Sequence, residues 1–485
     1  MSDYDYDMIV IGGGPAGLNA ALTAADDDAR VLVIEREPKV GGACVQYGTI
    51  PSKTLRETAV TLTSFKRRNG GVYDIAHDEN LQVASLMTRL NDVVDAHQNT
   101  MLQYLESAKI ERAHGLASFV GPHEVSIESH SGQKRIVTGG TVVIATGSRP
   151  RNPPEIDVDH ENILDSDSIL AMSYLPQSVI VLGGGVIACE YAATYANLGV
   201  RVTMIDRYPT PLGFLDHEVV EGFVQQFERD GGRFIGNCKD VSIQWDGVCS
   251  VVAELSCGTE ITSDKALIAQ GRVANVDGLA LDKINLATTD RGVLNVNEWF
   301  QTDVPWVYAV GDAIGPPALA SASMEQGRRA ANHALQRKCI TRETPTPMGI
   351  YTIPEIASVG LDENGVRKEY DDVLVGRSDL ARLARGCIMA TSGGLLKIVA
   401  DPTEHRIRGV QIVGDGATEL IHVGQLAMAA EMTVEELAST IFNFPTLAEA
   451  YRVAALDLLS QPALVPLASS LGATCRSKFG LPQQV

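Results

Sequence analysis

Two stretches of the chain carry residue types suited to holding a phosphorylated ligand. Gly12-Gly-Gly-Pro-Ala-Gly17 follows the apolar run Tyr6–Ile11, and Gly183-Gly-Gly-Val-Ile-Ala188 follows Val179–Leu182. In both, an acid stands at the same interval beyond the first glycine: Glu35 after Val31–Ile34, and Asp206 after Val202–Ile205. The chemistry explains the spacing. The first glycine (Gly12, Gly183) permits a tight turn, and the second (Gly14, Gly185) lets backbone approach a pyrophosphate. The third small residue (Gly17, Ala188) lets a helix pack closely on the strand. The helix N-terminus then faces the phosphates, and the acid accepts from ribose hydroxyls. A ligand-free strand–turn–helix corner is the bland alternative, and the acid at each strand end argues against it. Pro15 and Ala16 complete the first turn, and Arg36 follows its acid.

Asp206 is followed directly by Arg207. An acid at this strand end suits the plain ribose of NAD, and an arginine suits the 2′-phosphate of NADP. The pair fits a site taking both cofactors, and equally an NAD site with a solvated arginine. Two dinucleotide turns call for two dinucleotides. A tightly held flavin (FAD) beside an exchanging nicotinamide (NAD or NADP) is an apt pairing, because hydride passes between them directly.

The elements that must position these residues are two strand–turn–helix–strand units. Apolar strands are expected at Tyr6–Ile11, Val31–Ile34, Val179–Leu182 and Val202–Ile205, with helices at Leu18–Ala25 and Cys189–Leu198. Asn152-Pro-Pro-Glu155 and Thr344-Pro-Thr-Pro347 read as boundaries, and a further strand, Val307–Val310, leads into Gly311-Asp312. The rest mixes strand and helix patterns and forms a separate α+β domain. Its final residues, Ala473–Val485, are polar and show no clear element.

Composition bounds the partners. The chain has 485 residues, 45% of them hydrophobic and 21% charged, which fits a globular protein of roughly three domains. Its 40 basic and 60 acidic residues leave a net charge of −20, which disfavours nucleic acid or an anionic membrane surface as main partner. Of the eight cysteines, none forms a C-x-x-C pair or a zinc-like cluster, so no metal is expected. The acidic start lacks a signal peptide's basic region, which points to the cytoplasm and reduced thiols. His422, in the apolar run Leu420–Ala427, reads as a satisfied core or interface histidine.

Further motifs carry a family resemblance. Gly41-Gly-Ala-Cys-Val-Gln-Tyr-Gly-Thr-Ile-Pro-Ser-Lys53, Ala145-Thr-Gly147, Val307-Tyr-Ala-Val-Gly-Asp312 and Phe444-Pro-Thr-Leu-Ala-Glu449 follow the first turn in order. The chain resembles the flavoproteins with two dinucleotide domains that include glutathione reductase and dihydrolipoamide dehydrogenase, over roughly residues 5–460. The resemblance implies an α/β fold of two Rossmann-like dinucleotide-binding domains (FAD and NAD(P)) plus a C-terminal α+β dimerisation domain. The expected divisions are 1–155 and 281–345 for the FAD domain, 156–280 for the NAD(P) domain and 346–485 for dimerisation. A homodimer, extendable to larger assemblies, follows from the same resemblance.

It also implies site residues. Gly41, Gly42, Ala43, Cys44, Lys53, Thr146, Gly147, Gly311, Asp312 and Ala320 would surround the flavin. Gly271 would join the nicotinamide domain's set. Lys53, expected to open a helix after Pro51, would lie near the flavin ring and pair with Glu190. Lys53 can also be read as a surface lysine, and Glu190 as a nicotinamide contact or a plain salt bridge. Cys44 is either a thiol that tunes the flavin or a small buried residue.

Two departures are informative. The disulfide reductases place a second redox cysteine five positions after the first, where this chain has Thr49; they open the C-terminal motif with a histidine acid–base, where it has Phe444. Threonine forms no disulfide and phenylalanine carries no proton. With both halves of the dithiol machinery gone, hydride must leave as it entered, by a nicotinamide: NADPH + NAD⁺ ⇌ NADP⁺ + NADH. Gly349-Ile-Tyr-Thr-Ile-Pro-Glu355 and Asn443-Phe-Pro-Thr446 followed by Ala448–Leu456 resemble a branch of the family with that chemistry. A flavin NAD(P)H dehydrogenase using a quinone or dye shares the same motifs, and a flavin-binding redox sensor without turnover stands further off.

Overall fold

The computed structural model describes residues 3–26, 29–68, 83–338 and 345–461. Thr344 and the polar stretch from Ala473 lie outside the described residues.

Tyr6–Ile11 and Val31–Glu35 are almost continuously apolar and pair in parallel at the centre of the first sheet. Strands of that composition need cover on both faces. Glu111–His114 extends the sheet beyond Val31–Glu35, and Lys134–Ile144 runs parallel to Tyr6–Ile11 on the other side. Val307–Ala309 adds to the far edge of Lys134–Ile144, so the chain returns to its first sheet only late in the sequence. The amino half of Lys134–Ile144 pairs antiparallel with Glu124–Glu128, which in turn pairs with Leu116–Gly121.

Helix Pro15–Ala25 starts earlier than the expected Leu18, because proline at the first helical position has its φ already set. It packs against helix Ala320–Ala334 through small residues. A Cβ on Gly327 would overlap the Ala16 carbonyl, so glycine sets how closely the two helices approach.

The second sheet places Ser178–Leu182 between Arg201–Ile205 and Lys265–Ile268, all parallel. Arg233–Ile235 and Ile163–Asp165 form its edges. Helix Val186–Asn197 again starts before the expected Cys189. A three-stranded antiparallel layer, Val241–Trp245, Val251–Leu255 and Glu260–Ser263, lies beside this sheet. The chain leaves the first unit through Ser148–Pro150 and comes back through Arg272–Ala274. These two segments pair antiparallel as a neck.

The last unit is a five-stranded antiparallel sheet in the order Met348–Ile350, Ile356–Gly360, Ile407–Val413, Leu395–Ala400, Leu374–Asp379. Helices Ala417–Ala429 and Glu449–Leu459 cover it.

One helix ties the units together. Thr49–Arg68 begins at Thr49, ahead of the expected opening at Lys53, and Pro51 falls in its first turn, where a missing N–H loses no helical bond. Its Leu55 and Ala59 join an apolar cluster with Ala188, Tyr191 and Tyr195 of the second unit and Ile350 and Ile353 of the third. Among the described residues, no helix is long and apolar enough to cross a membrane.

Candidate active site

A cavity of about 1570 Å³ opens at the carboxyl end of the first sheet and extends to the other two units. Its first wall is the glycine turn. Gly12 has φ +108°, and a Cβ on Gly17 would overlap the Gly12 carbonyl, so the strand and helix Pro15–Ala25 close on one another only with glycine there. Gly14 faces Gly42 across a backbone-to-backbone approach: a Cβ on Gly42 would stand 2.8 Å from the Gly14 Cα. Gly41, at φ +109°, turns the chain into the short helix Gly42–Gln46, which carries Ala43 and Cys44. Pro15, Ala16 and Arg36 also line the cavity. The Glu35 carboxylate accepts from the Gly13 N–H at 2.6 Å and from the Glu37 N–H at 2.9 Å, fixing the turn to the strand end.

The opposite wall comes from later segments. Gly311, at φ +69°, donates its N–H to Gln326 Oε1 at 2.8 Å, and the Asp312 carboxylate accepts from Ser148 Oγ at 2.5 Å. Ala320 opens the helix behind them. Thr146 and Gly147 line the same space, and Thr146 Oγ1 is buried without a hydrogen-bond partner among the described residues. Buried hydroxyls rarely go unpaired, so a polar ligand in this cradle is a natural complement. A Gly-rich turn, an acid at the adjoining strand end and an orphaned hydroxyl between them fit an extended dinucleotide.

At the inner end, Lys53 Nζ lies 2.6 Å from Glu190 Oε2 and 5.0 Å from the Tyr351 ring centroid. Glu190 Oε1 accepts the Tyr351 N–H at 2.8 Å. Cys44 sits beside Thr49. Burial pushes its thiol pKa up, and the Thr49 hydroxyl and the Lys53 cation only partly pull it back. Lys53 is partly buried and ion-paired, so it is not a surface lysine. Phe444 is exposed and lies outside the cavity wall.

The second turn is built like the first. Gly183 has φ +126°, Ala188 is fully buried against the sheet, and Gly271 follows the carboxyl end of Lys265–Ile268. The Asp206 carboxylate accepts the Arg207 N–H at 2.8 Å, and burial pushes its pKa up. Gly183, Gly185, Ala188, Asp206, Arg207 and Gly271 do not line the large cavity; of the second unit's expected site residues, Glu190 is the one that reaches it.

Several neighbours carry no signal in the sequence pattern. Tyr351 lies inside Gly349–Glu355, a stretch marked only by its likeness to a family branch. Buried Arg56, one turn after Lys53, holds the Thr352 carbonyl and the Glu355 carboxylate at 3.2 and 3.1 Å. Arg272, next to Gly271, donates to Ser148 and pairs with Asp167 at 3.5 Å. His422 is exposed at the cavity rim with its Nδ1 2.9 Å from Gln425 Oε1, so the core alternative for it fails.

The sequence profile of the family described as "Pyridine nucleotide-disulphide oxidoreductase" matches residues 6–327, and that of its dimerisation domain matches residues 346–455. The chain belongs to the pyridine nucleotide-disulphide oxidoreductase family. More particularly, it is 38% identical over 460 residues to a protein of Mycobacterium tuberculosis named soluble pyridine nucleotide transhydrogenase, a match covering 94% of this chain and 98% of that one. A protein of the same name from Klebsiella pneumoniae is 40% identical over 466 residues, covering 94% and 99%. Among solved structures, LpdA of Mycobacterium tuberculosis superposes with a TM-score of 0.85 at 27% identity, covering 93% of this chain and 99% of that one. RclA, a flavoprotein disulfide reductase of Escherichia coli, shares the fold with a TM-score of 0.83 at 24% identity and the same coverage.

Proposed function

We propose that this chain exchanges hydride between nicotinamide dinucleotides, NADPH + NAD⁺ ⇌ NADP⁺ + NADH, with FAD held in the first cradle and NAD(H) or NADP(H) exchanging at the second. The carrying observation is the Cys44–Thr49 neighbourhood: both line the cavity, and the thiol has a hydroxyl-bearing neighbour where a dithiol enzyme needs a second thiol. The names of the relatives point the same way. When bound, FAD supplies a ring that can take hydride from one nicotinamide and give it to another.

The residues of the chain bind and position. The Gly12–Gly17 turn and its helix N-terminus take the pyrophosphate, and Glu35 takes the adenosine ribose. Asp312 and the buried Thr146 hydroxyl serve the middle of the cofactor. Lys53, held by Glu190, places a fixed cation at the inner end of the cavity, which favours negative charge building up there. No group has to move a proton, which is why Phe444 and Thr49 are compatible with turnover.

In this reading, residues 1–155 and 281–345 form the flavin unit, 156–280 the nicotinamide unit and 346–485 the surface that joins two copies into a homodimer. In this reading the protein works in the cytoplasm, where thiols stay reduced.

The test is an anaerobic titration. NADPH should bleach the flavin band of the purified protein, and NAD⁺ should restore it. Bleaching without restoration by NAD⁺ would favour a dehydrogenase with another acceptor. Absence of bleaching would leave a binding protein without turnover.

A further inference from the structure

Asp206 and Arg207 are adjacent and oppositely charged, yet their side chains do not pair with each other, and neither forms an ion pair with any other described residue. The Asp206 carboxylate is held by backbone instead, at 2.8 Å from the Arg207 N–H. The guanidinium lies over the Tyr208 ring, its central carbon 5.7 Å from the centroid. An arginine stacks well on an aromatic face, and a surface ion pair gains little, so the ring can compete with the carboxylate for the cation.

The platform is fixed from beneath. The Asn237 N–H donates to the Tyr208 carbonyl at 3.1 Å, and the Cys238 N–H donates to the Asp206 carbonyl at 3.0 Å. The Leu212 N–H folds the following loop back onto the Gly184 carbonyl at 2.8 Å. The Tyr208 ring itself is 60% exposed, so the core does not explain an aromatic residue there.

We propose that Tyr208 is a positioning residue for nucleotide choice: its ring holds Arg207 off Asp206, so that the ribose end of the second site presents a free carboxylate and a free guanidinium together. NAD(H) then finds, for its ribose diol, a carboxylate acceptor with no side-chain ion-pair partner among the described residues. NADP(H) finds a cation that swings from the ring to its 2′-phosphate, where a charge-assisted pair replaces a weaker stacking contact. Were Arg207 paired with Asp206, either nucleotide would first have to break that pair. The inference rests on the second site accepting both nucleotides.

ADP-ribose and 2′-phospho-ADP-ribose test it, because they carry the adenosine end without a nicotinamide. Binding to the oxidised holoenzyme is measured by calorimetry. Tyr208→Leu should weaken ADP-ribose by about two- to five-fold, the strength of an exposed cation–aromatic contact, as Arg207 falls back onto Asp206. Tyr208→Phe, which keeps the ring face, should bind as the wild type does. Arg207→Gln should weaken 2′-phospho-ADP-ribose by about tenfold or more and spare ADP-ribose. In the double variant, ADP-ribose binding should return to the wild-type value, because the loss needs Arg207.

Equal weakening of ADP-ribose by Tyr208→Leu with and without Arg207 would mean that the ring touches the nucleotide directly, and would overturn the proposal. So would unchanged binding in Tyr208→Leu. If hydride exchange fails while the binding pattern holds, the proposed reaction falls and the role of Tyr208 stands. If exchange runs and the pattern is absent, only the role of Tyr208 falls.

Discussion

Lys53 and Glu190 meet at 2.6 Å across the boundary between the two dinucleotide units, and the second carboxylate oxygen of Glu190 holds the Tyr351 N–H of the third. One ion pair therefore fixes three segments that are remote in sequence. Its burial also keeps the Lys53 charge close to the inner end of the cavity instead of lost to bulk water.

Lys53→Met removes that charge from a largely buried position. Reduction of the bound flavin by NADPH should slow by about tenfold or more, in line with the loss of one fixed electrostatic contact, while NADP⁺ binding is kept. Stopped-flow bleaching and equilibrium dialysis measure the two. An unchanged bleaching rate would remove Lys53 from the chemistry.

Thr49→Cys restores the missing thiol beside Cys44, whose thiol pKa the neighbouring Thr49 hydroxyl already pulls down. Mild oxidation should then join Cys44 to the introduced thiol in a disulfide, seen by mass spectrometry as the loss of two hydrogens. Reduction of small disulfide substrates should stay weak, because Phe444 still supplies no acid–base group. Strong disulfide reductase activity in this single variant would contradict the role given to Phe444.

The junction of the second and third units is a charge cluster. Lys397 is 2% exposed and reaches Asp216, Glu218 and Glu363 at 2.8, 2.6 and 2.5 Å, while Arg377 clasps Glu218 at 2.6 Å. Hydrogen bonding from Arg377, with help from Lys397, holds the Glu218 carboxyl at about 2, well below its ordinary 4.5. A carboxyl with a depressed folded pKa adds stability above its unfolded pKa and loses it as pH falls toward the folded one. Wild-type melting temperature should thus drop between about pH 4.5 and 2 more steeply than that of Glu218→Gln. At neutral pH the variant should lose no more than about 1 kcal/mol, given the partial exposure of Glu218. Parallel thermal melts across that range decide it, and identical slopes would argue against the cluster.

Gly17→Ala places a methyl group against the Gly12 carbonyl. The strand and helix must part, and the turn proposed to receive the pyrophosphate opens. The variant should purify with much less flavin, read as the ratio of flavin to protein absorbance. Full flavin content would show that the turn tolerates a Cβ.

The third unit exposes Ile441 at 95%, Leu426 at 69% and Phe444 at 67%. Apolar side chains of this size gain roughly 1.5–3 kcal/mol each on full burial, so they suit the homodimer surface. Leu426→Asp combined with Ile441→Asp should shift the protein from dimer to monomer in light scattering coupled to size exclusion. A dimer unaffected by both charges would place the contact elsewhere.

Much of the site was legible in the sequence because it is local. A glycine turn, its strand and its acid lie within one short segment, and period and spacing reveal them. Thr49 and Phe444 were legible for the same reason: an absent thiol and an absent imidazole are properties of single positions. Helix starts were less so. Pro15 and Pro51 sit inside first turns, where proline is at home, and the pattern alone puts the helices later.

The rest waited on tertiary structure. The neck formed by Ser148–Pro150 and Arg272–Ala274, the buried Arg56 and the Lys397 cluster join residues far apart in the chain, and the exposure of His422 depends on what packs around its helix. Even Arg207, next to Asp206 in sequence, turns to Tyr208 for reasons of side-chain direction that composition does not carry. By itself the sequence determined which chemistry was possible: two dinucleotide turns and no dithiol. Packing decided which of those groups meet, because burial, charge pairing and the path of a cavity depend on long-range contacts that no local period encodes.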